Sequence, residues 1–262
     1  MQLNTGAMEA TGGADPTRLQ VTVLGSADAF CSGANLNAAY FFETSRSAFL
    51  LDCGPTILYA MKKQGIDTGR IDFAIVSHFH GDHFGGLPFL LLEYMFERPR
   101  SRPFVILGPV GIEDRVRSLF RLLYRDVSAK PLPFELQFRE LVPEQRTTVA
   151  EVEILPVRVP HQDDETALAL RLEADGARVL YSGDTPWMDR FLDLARGVDL
   201  FLCECTAYDG SLGRHIDFTT LQPLIGRLEC GRLVLMHLGR EMRARAATLG
   251  VECATEGLVI RV

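Results

Sequence analysis

With 262 residues, 47% hydrophobic and 23% charged, the chain can build a well-filled core and does not read as a disordered segment. A formal net charge of −7 argues against a dedicated nucleic-acid binder, although a local basic patch can act on an acidic background. No apolar run approaches bilayer length, residues 1–18 lack a secretory pattern, and six cysteines are too sparse for a disulfide scaffold, so the expectation is a soluble, cytoplasmic protein with reduced thiols.

Taken in chain order, residues 1–18 read as a small, polar, loose tail, and residues 19–262 as a single domain. Short apolar runs at Val21–Leu24, Tyr40–Phe42, Ala48–Leu51 and Phe73–Val76 read as strands. A helix is expected over Pro55–Gln64, with proline near its start and Gly65 at its stop. Further helices are expected over Leu87–Glu97, Gly111–Tyr124, Pro186–Ala195, Thr219–Leu228 and Arg240–Leu249, with Thr219-x-x-Gln222 as a capping box. Strands are expected at Phe104–Leu107, Val152–Val159, Ala167–Leu172, Val179–Tyr181, Leu200–Cys203, Leu233–Met236 and Leu258–Ile260.

The segment Ser77-His78-Phe79-His80-Gly81-Asp82-His83 follows the strand at Phe73–Val76. Imidazole nitrogen and carboxylate oxygen are donors that Zn²⁺ and related ions prefer. A strand ending in such a turn can aim His78 and His80 at one cation and Asp82 and His83 at a second, with Gly81 allowing a tight reversal between the pairs. The remaining histidines, His161, His215 and His237, fall at strand ends or in a loop before a helix, where a scaffold places functional groups. Asp184 sits in Ser182-Gly183-Asp184-Thr185 after another strand.

These pieces, with Leu51-Asp52-Cys53-Gly54, Val159-Pro160-His161, Cys203-Glu204-Cys205-Thr206 and Leu235-Met236-His237-Leu238, resemble the metallo-β-lactamase superfamily, and most closely its ribonuclease Z and phosphodiesterase-like branch. The resemblance runs from about Leu19 to Val262. It implies an α/β fold, a four-layer αββα sandwich, and two divalent cations, Zn²⁺ ahead of Mn²⁺ or Fe²⁺. His78, His80 and His161 would hold the first; Asp82, His83 and His237 the second; Asp184 would bridge both. Asp52 would hold a ligand ring in place. The reaction implied is phosphodiester hydrolysis by a metal-bridging hydroxide, with Asp82 orienting the water, His215 as general acid and Glu204 orienting His215. Asp217 either takes part or caps the next helix.

Alternatives share the scaffold. A thioester, lactone or β-lactam hydrolase would use the same cations without needing His215. Di-iron redox members carry Glu where this chain has His80, and a non-catalytic module would be expected to have lost ligands. The tRNA-processing enzymes of the branch carry a Gly/Pro-rich arm between the third histidine and the bridging aspartate; only 22 residues separate His161 from Asp184, so tRNA is not the expected substrate. A small-molecule or oligonucleotide phosphodiester is expected instead, with a homodimer as a possible assembly. Arg117, Arg121 and Arg125 recur on one expected helix face and read as a solvated stripe. Cys203 and Cys205 read as core residues sharing a strand face, with Glu204 on the other.

Overall fold

Many strands of this chain are apolar on both faces, so they need a covering layer on each side. The computed structural model, which describes residues 19–163, 166–210 and 213–262, meets that need with two seven-stranded sheets packed face to face and helices on both outer surfaces. This is the expected αββα sandwich. The tail at residues 1–18 lies outside the described residues.

The first sheet contains β1 (Gln20–Gly25), β2 (Ala39–Glu43), β3 (Ala48–Leu51), β4 (Phe73–Ile75), β5 (Phe104–Gly108) and β6 (Leu136–Glu140). The second contains β7 (Thr147–Val149), β8 (Val152–Val159), β9 (Ala167–Ala174), β10 (Ala177–Tyr181), β11 (Val198–Glu204), β12 (Cys230–Met236) and β13 (Glu252–Cys253). Strand β14 (Val259–Arg261) returns to the first sheet and pairs antiparallel with β1, Ile260 opposite Val21. The spatial orders are β14-β1-β2-β3-β4-β5-β6 and β13-β12-β11-β10-β9-β8-β7.

The helices are α1 (Ile57–Lys63), α2 (Gly81–Phe84), α3 (Leu87–Leu92), α4 (Ile112–Leu123), α5 (Arg125–Ser128), α6 (Arg190–Leu194), α7 (Phe218–Leu221) and α8 (Arg240–Arg245). Period-two alternation sorts the strand residues among three apolar layers. In β2, Tyr40 and Phe42 enter the layer between the sheets, while Ala39 and Phe41 pack under α1, α3 and α4. In β10, Val179 and Tyr181 face the first sheet, while Leu180 packs under α6, α7 and α8.

Strands β6, β7 and β13 were not expected from the sequence. All three are sheet edges, and an edge strand needs no continuous apolar signal. Three helix expectations are corrected. Asp217, not Thr219, caps α7 by accepting the Thr220 N–H at 2.9 Å, and Pro223 falls in a 3₁₀ segment, Gln222–Arg227, that continues from it. The segment 186–189 is not helical, so α6 is short. The backbone breaks at Tyr124 (φ −138°, ψ 64°), so Arg125 lies on α5 and does not continue a face with Arg117 and Arg121. Arg117 bonds Glu113 and lies over Phe138 of edge strand β6, whereas Arg115, two residues away, lies over Phe79 beside the histidine cluster. Arg117 therefore looks toward the sheet edge.

Strands β3 to β6 run parallel, as do β10 to β13. The carboxyl ends of β3, β4, β10, β11 and β12 lead to Asp52, His78, Asp184, Glu204 and His237, and β8 leads to His161. Residues distant in sequence meet there because strand ends of parallel blocks share one edge.

Candidate metal centre

His78 leaves β4 fully buried, and α2 makes one helical turn starting at Gly81, with His80 at its N-cap. Gly81 does not have positive φ, and a Cβ placed there would meet nothing. The expected reliance on glycine freedom is corrected: a helical turn, open to other residues, sets Asp82 and His83. Glycine is required instead at Gly86, where a Cβ would lie 2.2 Å from the Gly54 carbonyl oxygen. Asp184 follows Gly183, which has φ +58° and leaves only 2.4 Å between an added Cβ and the Leu168 carbonyl oxygen. Asp52 (φ 59°) and His237 (φ 56°) themselves adopt the left-handed region, uncommon outside glycine but entered by Asp and His more readily than by most residues.

Two groups of donors that share Asp184 result, and a third, of Glu204, His215 and His237, lies beside them. His78, His80, His161 and Asp184 form one; Asp82, His83, Asp184 and His237 form the other; within each, the donor atoms lie within 4.8 Å of one another. Asp184 belongs to both. Its Oδ2 lies 3.9 Å from His78 Nε2 and His161 Nε2, 3.2 Å from His83 Nε2 and 3.3 Å from His237 Nε2. Asp82 Oδ2 lies 3.4 Å from His83 Nε2 and 3.2 Å from His237 Nε2. Donors around a tetrahedral cation with bonds near 2.1 Å sit about 3.4 Å apart, so these spacings suit divalent cations. His78 Nε2, His83 Nε2 and Asp184 Oδ1 are buried without a protein hydrogen-bond partner. Such atoms are costly to leave unpaired, and a cation would satisfy them.

In four of the five donor histidines the opposite ring nitrogen is fixed by an acceptor. His83 Nδ1 meets Asp52 Oδ2 at 2.7 Å, His161 Nδ1 the Arg214 carbonyl at 2.9 Å, His78 Nδ1 the Ser77 hydroxyl at 3.0 Å and His237 Nδ1 the Thr206 hydroxyl at 2.9 Å. Each of these four rings therefore keeps an Nε2 lone pair for a cation. His80 is reversed and turns Nδ1 to within 3.0 Å of His161 Nε2.

Two buried carboxylates stand behind the donors. Asp52 accepts from Ser77 N (2.7 Å), Ser77 Oγ (2.8 Å), His83 Nδ1 (2.7 Å) and Tyr181 Oη (2.5 Å). Glu204 accepts from Thr185 N (2.5 Å), Thr206 Oγ1 (2.8 Å) and His215 Nδ1 (3.0 Å). The His215 ring stacks on His237 with centroids 5.4 Å apart. Asp217 stays outside as the cap of α7. Cys203 and Cys205 pack in the layer beneath α6 to α8, on the face of β11 opposite Glu204, as expected.

Charge is divided within the site. Burial pushes the His161 imidazole down to about 4, and burial likewise lowers His78 and His80, keeping their lone pairs free. Burial opposes protonation of His83 and His237 as well, but Asp184 and the neighbouring carboxylates outweigh it and raise both. At those two rings a cation and a proton compete for Nε2. Burial works against ionisation of Asp82, yet His83 and His237 hold it well below the usual carboxylate range. Burial also disfavours the His215 cation, but its bond to Glu204 and that carboxylate's charge lift it to about 9. Burial raises Glu204 itself.

The sequence reading placed every donor that gathers here, together with Glu204 and His215. It gave no role to Ser77, Thr206, Tyr181 or Arg214. Ser77 and Thr206 carry a faint signal, since each is a hydroxyl one or two residues from an identified group. Tyr181 and the Arg214 carbonyl carry none. A cavity of about 300 Å³ is lined by Thr206 together with Asp28, Phe30, Tyr208 and Arg240, with no donor residue in its lining.

A family model described as anti-Pycsar protein Apyc1 matches residues 19–255. The ribonuclease Z of Ignicoccus hospitalis is 30% identical over 231 residues, covering 72% of this chain and 76% of that protein. The ribonuclease Z of Lachnoclostridium phytofermentans is 35% identical over 144 residues, 55% of this chain, and the match spans less than half, 45%, of that protein. The crystal structure of the metallo-β-lactamase fold protein YhfI from Bacillus subtilis superposes with a TM-score of 0.76 at 22% identity, covering 94% of this chain and 100% of that one. Among the described residues, no helix is long and apolar enough to cross a membrane.

Proposed function

The chain belongs to the anti-Pycsar protein Apyc1 family, in the ribonuclease Z-like branch of the metallo-β-lactamase superfamily, and on that premise we propose that it is a dinuclear metal-dependent phosphodiesterase. The observation that carries the reading is the His215–Glu204 pair, 3.0 Å apart, set beside a complete group of donors, five of the seven buried. His78, His80 and His161 would hold one cation, Asp82, His83 and His237 the other, and Asp184 both. The imidazole-rich donor set favours Zn²⁺ over Mn²⁺ or Fe²⁺. When bound, the cations would lower the pKa of water toward neutrality and offset charge on phosphoryl oxygens.

The chain's own groups supply the rest. Asp82, in the second donor group, would orient the attacking water beside that cation. His215 is held protonated at neutral pH with Nδ1 committed to Glu204, which leaves Nε2–H to protonate the departing alkoxide. Asp52 fixes His83, and the Arg214 carbonyl fixes His161.

The described residues between His161 and Asp184 lie mostly in β9 and β10, and a stretch of 22 residues is too short for an arm of the tRNA-gripping kind, which speaks against tRNA as substrate. Free thiols at Cys31, Cys53, Cys203, Cys205, Cys230 and Cys253 fit a reducing, cytoplasmic setting.

The test is a Zn²⁺-loaded assay on a dinucleoside monophosphate, a thioester, a lactone and a β-lactam, with Asp184→Ala as blank. Preferential, Asp184-dependent cleavage of the phosphodiester supports the reading. Faster turnover of the thioester, lactone or β-lactam would replace it with the alternative hydrolase.

A further inference from the structure

Thr206 lies between two groups that the reaction uses separately. Its hydroxyl donates to Glu204 Oε2 at 2.8 Å, and its oxygen sits 2.9 Å from His237 Nδ1. Because the hydroxyl proton is committed to the carboxylate, the oxygen accepts from His237 Nδ1–H. The order of donation is then His237 to Thr206 to Glu204. Glu204 also takes the N–H of Thr185, the residue after Asp184, at 2.5 Å, and His215 Nδ1 at 3.0 Å. Both Glu204 and Thr206 are buried, so water does not readily substitute for these bonds.

The other half of the centre repeats the device. His78 Nδ1 reaches Ser77 Oγ at 3.0 Å, and Ser77 Oγ donates to Asp52 Oδ2 at 2.8 Å, while His83 reaches Asp52 directly. In both halves a hydroxyl links one histidine to a carboxylate that a second histidine touches without an intermediary. In the Asp52 half both histidines are metal donors. In the Glu204 half one is the donor His237 and the other is His215.

We propose that Thr206 is a positioning residue that makes Glu204 the common anchor of the second cation's site and of His215. The inference rests on the dinuclear reading. Its distinctive consequence concerns Glu204, which a simple Glu–His pair would tie to proton donation alone. Here Glu204 also sets the orientation of His237, through Thr206, and hence the hold on the second cation.

The experiment is Zn²⁺ titration of the full chain against a chromophoric chelator, for wild type, Thr206→Val, Thr206→Ser, Glu204→Gln and the double variant Thr206→Val/Glu204→Gln. Thr206→Val is expected to weaken the second Zn²⁺ about tenfold or more while the first binds as in wild type. Thr206→Ser, which keeps the hydroxyl, is expected to restore it. Glu204→Gln is expected to weaken the same Zn²⁺, and to add little in the Thr206→Val background, because both remove one chain of bonds. A Thr206→Val protein that binds both ions as wild type does, a failed rescue by serine, or full additivity of the two substitutions would overturn the proposal. A wild-type chain that binds fewer than two Zn²⁺ would overturn the dinuclear reading itself, and this inference with it.

Discussion

The Tyr181 hydroxyl, carried on the second sheet, donates to the Asp52 carboxylate of the first at 2.5 Å. Both groups are fully buried, and the Tyr181 ring packs edge-on against Tyr40, 5.6 Å between centroids. The bond joins the two sheets at the point where Asp52 orients His83. Tyr181→Phe is therefore expected to cost about 1–2 kcal/mol in denaturant unfolding and to weaken metal binding about tenfold. Wild-type metal affinity in this variant would show that Asp52 orients His83 without the fourth donor.

Asp184 is shared by both donor groups, so Asp184→Ala should disturb both cations together. Elemental analysis after dialysis is expected to find less than one metal per chain, with turnover down roughly a thousandfold. Retention of a full pair would mean that Asp184 does not bridge.

In the proposed mechanism, the proton that His215 would supply matters in proportion to the basicity of the leaving group. His215→Ala should slow cleavage of a dinucleoside monophosphate by about 10²–10⁴-fold and affect bis-p-nitrophenyl phosphate far less, since nitrophenolate leaves without protonation. Equal losses on the two substrates would count against an acid role.

The raised His215 pKa carries a sign for both rate and stability. Its folded value of about 9 exceeds the unfolded value near 6.5. The folded state therefore binds the extra proton, and the associated stability is fully present below about 6.5 and lost as pH rises through about 9. The rate on an alkoxide-leaving diester should fall along the same alkaline limb. In Glu204→Gln, which removes the charge beside the ring, that limb should move to lower pH. A pH–rate profile with an unchanged limb would refute the pairing.

Gly183→Ala should unfold more readily than wild type, because φ is +58° and the new Cβ would press on the Leu168 carbonyl at 2.4 Å. A loss of about 1–3 kcal/mol is expected from the backbone conformation alone. Thermal melts of the metal-free proteins would measure it without interference from metal binding.

Much of this site was legible in the sequence because its donors are chemically unmistakable and follow apolar strands. His161, Asp184 and His237 each sit one to three residues past a strand, and the parallel blocks bring those ends together. What escaped notice was set by orientation. Ser77 and Thr206 are common residue types, and their roles depend on which neighbour takes the hydroxyl proton. Arg214 contributes a main-chain carbonyl, which any residue possesses. The fold shows the same division. Central strands announced themselves by burial on both faces, whereas β6, β7 and β13 lie at edges where one neighbour is missing. Thr219 has the form of a helix start, but Asp217 takes the position because its carboxylate reaches the Thr220 N–H first.

The return of β14 to lie against β1 has a bearing on how the protein is made. Everything between the two, the whole second sheet included, must leave the ribosome before β1 gains its outer neighbour. Until then β1 is exposed as an unprotected template for foreign strands. A nascent chain arrested short of residue 259 should accordingly be aggregation-prone and chaperone-dependent, and residues 19–262 should mature as one cooperative unit whose halves cannot be expressed separately as stable proteins.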